Sequence, residues 1–186
     1  MKIFSAAAMV FAFGLAGCGD GAKAPEKGQA GSGAPAAPGP ALPEGTVLKE
    51  APAGAKDVAV MKKDAKEGDE VVIRGQIGGD KTPIVSQRAI MNIVDMKLPA
   101  CNVNPEDNCK TPWDFCCETP ETLHANTASI QFTGPDGRPL KVDLRKVNGL
   151  DCLSVVVVKG KVLKREKENL VINASGIFIE KPPAKK

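Results

Sequence analysis

Apolar residues in this chain recur at every second position, in runs too short to be helices. Within residues 70–78, Val71, Ile73 and Ile77 alternate with Val72, Arg74 and Gln76. Ala128, Ile130 and Phe132 alternate with Thr127, Ser129 and Gln131. Leu140, Val142 and Leu144 alternate with Lys141 and Asp143, after the turn Gly134-Pro135-Asp136-Gly137. Successive side chains of a strand point to opposite faces, so each run reads as a strand with one face buried. Pro-Asp-Gly is a turn signal because proline presets φ and glycine accepts a positive one. Residues 153–163 contain Val155 to Val158 in succession, the signature of a strand buried on both faces. Residues 169–179 supply another strand after a charged turn, and residues 89–95 a further candidate. Only residues 55–66, with Val58, Met61 and Ala65 on one side, have helical spacing.

Residues 46–181 have the size of one domain, long enough to bury roughly two-thirds of its unfolded surface. Tyrosine is absent and there is one tryptophan, so the core must come from Val, Ile and Leu. A net charge of +3 singles out no class of partner. Short strands with few helices predict a mainly β fold, a small five- to six-stranded antiparallel barrel, with a sandwich as the rival. The run Gly68-Asp69-Glu70-Val71-Val72-Ile73-Arg74-Gly75-Gln76-Ile77, after a short helix, resembles OB-fold proteins of the bacterial envelope. Residues 154–162, a charged turn and residues 170–179 resemble the last two strands of that fold. The resemblance covers residues 58–179 with one interruption. Residues 98–126 form a long cysteine-rich insert that simple members lack. Residues 145–152 are too short for the usual helix between the third and fourth strands.

The N-terminus resembles a bacterial lipoprotein signal peptide over residues 1–17. Lys2 gives the positive start, residues 3–15 an apolar stretch, and Leu15-Ala16-Gly17-Cys18 the processing site. The apolar stretch is shorter than the roughly 20 residues that span a bilayer. The resemblance implies that Cys18 is the lipid attachment residue and mature N-terminus, on the extracytoplasmic side of the envelope. Gly19, where aspartate would retain the protein in the inner membrane, implies the outer membrane if the organism is Gram-negative. Residues 18–45 are rich in Gly, Ala and Pro and predict a flexible linker with a reach on the order of 30 Å. Residues 182–186 form a basic tail.

Specific chemistry is to be sought in the insert, which carries Cys101, Cys109, Cys116 and Cys117 among four prolines. A loop this long without periodicity needs a staple or a function. Two disulfides are expected, because thiols outside the cytoplasm are usually oxidised. A bond between the neighbours Cys116 and Cys117 would be strained, so each is expected to pair with Cys101 or Cys109. The alternative is zinc or iron bound by the four thiolates, with His124 as a possible additional ligand. Glu106, Asp107, Asp114, Glu118 and Glu121 face only Lys110, which favours cations. No Cys-x-x-Cys is present, so the simplest basis for a redox enzyme is missing. Cys152 leaves an odd count and reads as a small buried hydrophobe.

One histidine is not a convergent catalytic set, and no phosphate loop or nucleophile elbow is found. The chain is expected to be a non-enzymatic binding or structural module of the envelope, with no resident cofactor unless the insert binds metal. Arg138, Lys141, Arg145, Lys146, Lys159, Lys161, Lys164 and Arg165 form a possible basic binding face. OB folds grip single strands by stacking bases on aromatics, which this region lacks, so no nucleic acid is expected. An envelope protein, anionic lipid or acidic glycan is the alternative partner besides the membrane that the anchor enters.

Overall fold

The alternation at residues 70–78 becomes a strand whose inward positions are all buried. In the computed structural model, which describes residues 41–101, 103, 109–167 and 169–183, this strand is preceded by β1 (Lys56–Asp57) and α1 (Val58–Asp64). It is β2 (Glu70–Ile77), followed by β3 (Ile90–Val94), α2 (Pro120–Asn126), β4 (Thr127–Gln131), β5 (Val155–Glu166) and β6 (Asn169–Lys181). The signal peptide, Cys18, most of the linker and the last residues of the tail lie outside the described residues.

The six strands form one mixed sheet in the order β1-β2-β3-β4-β6-β5. A further pairing of β2 with β5 closes five of them into a ring of hydrogen bonds. The expectation of a wholly antiparallel sheet is therefore corrected. Strand direction cannot alternate without a break around a ring of odd number, so one pair must run parallel. That pair is β4 with β6, and β1 adds a second parallel pairing on the edge of β2.

Val71, Ile73, Met91, Ile93, Ile130, Val156, Val158, Ile172 and Ile177 point inward and form the core. All four valines from Val155 to Val158 are buried, as a strand covered on both faces requires. Helix α1 contributes Val58, Met61 and Ala65 to the same core. Its Ala59 N–H, one of the free donors of a helix start, is met by the buried Asp95 carboxylate at 2.7 Å.

Residues 140–144 are not a strand, contrary to the alternation. Val142 and Leu144 do point into the core, but both edges of β4 are already taken, by β3 and β6. Only an isolated bridge joins Thr133 to Pro139. The chain then tightens into a 3-10 turn at Leu144–Lys146, where the Asp143 carboxylate accepts the Arg145 N–H. The first residues of the domain, just past the linker, are stitched to β6: Leu48 donates to the Ile177 carbonyl, and Ile177 donates to that of Thr46, both at 2.8 Å.

Candidate metal centre

The insert leaves the sheet where β3 and β4 end side by side, with Val94 opposite Thr127. Its base is clamped by the Asp95 N–H on the Asn126 carbonyl at 2.9 Å. Between it and the sheet a second small core forms from Val94, Ala100, Phe115 and Leu153, with Leu98, Trp113 and Leu123 packed against it. Phe115 is fully buried and its backbone is left-handed, φ 55°. It presses on Gly78, where a Cβ would stand 2.6 Å from the phenyl Cε2. Only glycine admits the ring there. The next amide, of Gly79, donates to the Trp113 carbonyl at 2.8 Å, while the Trp113 indole donates to the Lys81 carbonyl at 3.1 Å. The insert is thereby docked on the outside of the ring.

Burying Phe115 fixes its neighbours Asp114 and Cys116. The Asp114 carboxylate accepts the Thr111 hydroxyl at 2.7 Å and the Cys116 N–H at 3.0 Å, an aspartate turn that orients both side chains. Cys101 is drawn to the same turn by its N–H on the Pro112 carbonyl at 3.2 Å. Cys116 Sγ is 3.8 Å from Cys101 Sγ and 3.7 Å from Cys109 Sγ, and Cys117 Sγ is 3.9 Å from Cys101 Sγ. These contacts are longer than the roughly 2.05 Å of a disulfide. The sulfurs of Cys101, Cys109 and Cys116 and a carboxylate oxygen of Asp114 all lie within 4.8 Å of one another. That group could hold a metal ion. Hydrogen bonding to Cys109 first, then to Cys101, pushes the Cys116 thiol well above its ordinary range.

Asp114 is the residue that reading the sequence missed. It counted only as one of several acids, although its place two residues before Cys116 allows the turn that brings it in. His124 lies on the exposed side of α2 and is not in the gathered group. Its backbone carbonyl, with that of Thr127, accepts the buried Lys62 ammonium, so a cation caps the carboxyl end of α2. Cys152 is half-buried and also outside the group. Burial first, then the nearby Asp151 charge, raises its thiol.

The eight basic residues do not share one surface. Arg138, Lys141 and Lys146 line adjoining depressions beside residues 86–88. Lys159 lines a separate cavity under α1, and Arg165 another near Lys63. Lys161 stands opposite Glu70, Lys164 pairs with Glu166 at 3.0 Å, and Arg145 with Asp151 at 3.9 Å.

No family model matches the chain, and no curated protein matches it. Among solved structures it is similar to a putative aspartyl-tRNA synthetase from Leishmania major Friedlin, at 11% identity and a TM-score of 0.41. That match covers 78% of this chain, which spans only 24% of the synthetase chain. It is also similar to the hypothetical protein ygiW from E. coli, at 15% identity and a TM-score of 0.34, covering 68% of this chain and 90% of that one.

Proposed function

We propose that this chain is a lipid-anchored, extracytoplasmic envelope protein whose OB-type barrel carries a thiolate-rich metal centre. The reading is of a binding or structural module, not an enzyme. The observation that carries the metal centre is the spacing of the sulfurs. Four ligands around zinc with Zn–S bonds near 2.3 Å stand about 3.8 Å apart at the edges of the tetrahedron. The Cys101–Cys116 and Cys109–Cys116 contacts, 3.8 and 3.7 Å, have that length. Cys101, Cys109, Cys116 and Asp114 would be the ligands, with Thr111 holding the carboxylate in place as an outer partner. Three soft sulfurs favour zinc or iron over calcium or magnesium. The barrel reading is supported by the five-membered ring with one parallel pair and by α1 packed into its core. The anchor reading rests on the sequence before Cys18.

A second reading keeps the four cysteines as staples. Cys101 with Cys117 and Cys109 with Cys116 are two non-overlapping pairs at 3.9 and 3.7 Å. Metal analysis and thiol counting of protein taken from its own envelope separate the two. One equivalent of metal, with three further thiols becoming reactive only after chelation, supports the centre. A metal-free chain that gains about four protons on reduction, two for each disulfide, overturns it.

A further inference from the structure

We infer that the groove between residues 86–88 and 138–148 binds the phosphate of an anionic lipid headgroup. Two adjoining depressions, about 750 and 1090 Å³, share Ser86, Gln87 and Lys141 in their walls. Arg88, Arg138, Lys141 and Lys146 supply four positive charges. None of the four has an ion-pair partner among the described residues. Asp136 and Asp143 also line the groove, but each accepts a backbone N–H of its own turn, from Arg138 and Arg145, at 3.1 Å. The four cations outnumber these two carboxylates, and an excess of one sign in a concave site raises its potential and draws an anion into it.

A lipid rather than a soluble anion is favoured by the remaining wall. Ala41, Leu42 and Val47 line the groove, and Leu42 and Val47 also pack on the core. They belong to the segment through which the chain from Cys18 enters the domain. On the reading that Cys18 is acylated, this covalent route keeps the groove near a bilayer, and the apolar wall suits the first methylenes of the lipid's acyl chains. Juxtamembrane cations gain about 1 kcal/mol each beside anionic lipid.

The test is native mass spectrometry of the mature acylated chain released from neutral detergent micelles, titrated with phosphatidylglycerol or phosphatidylcholine. Parallel titrations use inorganic phosphate and a sulfated hexasaccharide. Phosphatidylglycerol should bind at least tenfold tighter than phosphatidylcholine. Lys141→Gln and Lys146→Gln should each weaken it about fivefold, the factor equivalent to that gain, while Lys164→Gln leaves it unchanged. Unaltered melting temperatures show that the variants fold. Equal binding of the two lipids, or tighter binding of phosphate or the hexasaccharide, overturns the proposal. The mass of the mature chain reports acylation separately. Failure of an acylated chain to bind overturns the groove alone, and a missing acyl mass overturns the anchor.

Discussion

The Arg74 guanidinium grips the Glu180 carboxylate through two N–H···O bonds of 2.6 and 2.7 Å, bridging β2 and β6 across the intervening β5. Arg74 pairs with Val157, and Val157 with Phe178, so the three side chains share the outward face. This explains how Val157, pointing away from the core, is only 3% exposed.

The pair makes a pH-dependent contribution. Hydrogen bonding from Arg74 holds the Glu180 carboxyl below its ordinary range. A depressed carboxyl stabilises the fold above its unfolded value, about 4.3, and that stability is lost as pH falls through the folded value. Both side chains remain 30% exposed, so the effect is near 1 kcal/mol. Glu180→Gln should lower the urea midpoint at pH 7. The difference from wild type should vanish once Glu180 is protonated in both states; a gap that persists unchanged to about pH 2 would rule out the linkage.

Val158→Asp should unfold the domain or cost several kcal/mol, because a carboxylate placed in the core has no partner. Val157→Asp should cost less, since Arg74 stands beside it. Equal denaturation midpoints for the two variants would mean that the faces of β5 are assigned wrongly.

Gly78→Ala drives a methyl against Phe115 and the Trp113 carbonyl, at 2.6 and 2.7 Å. Overpacking of this kind costs about 1–3 kcal/mol. The loss should fall mainly on the insert, because Phe115 sets the positions of Asp114 and Cys116. Metal retention should drop more than the far-ultraviolet circular dichroism of the ring changes. Full retention would show that the insert holds its shape without that contact.

Within the proposed centre, Cys116→Ser should abolish stoichiometric metal. If Asp114 is a ligand, Asp114→Asn should lower affinity at least as much as the loss of an outer-shell partner does, about 10–100-fold. His124→Ala should leave affinity unchanged. Cobalt substitution reads this directly through thiolate-to-metal absorption. A Cys117→Ser variant that matches Cys116→Ser in its loss would move the fourth ligand from Asp114 to Cys117.

Strands with one wet face were legible in the sequence, as at β2, because solvent on one side enforces the period. Residues 140–144 have the same period yet make no strand, since inward alternation also suits an extended segment lying across a core. Pairing depends on a free edge, and the edges of β4 are settled by residues far away. Helix α2 went unread although Thr119 caps it and Pro120 opens it, because it begins inside a loop without apolar spacing. The cysteines announced the site. Their convergence did not follow from spacing, since it depends on Phe115 sinking into the hollow at Gly78.

The odd ring also has a kinetic consequence. The β5–β6 hairpin and the β3–β4 pair can form from neighbours along the chain, but the seam joins residues 70–76 to 155–161. Closing so long a loop is entropically costly and places such domains among slow folders, on the millisecond-to-second scale. The thiol-bearing insert packs Phe115 against Gly78 and Leu153, which stand on the two sides of that seam, so its cysteines gather only as the seam closes.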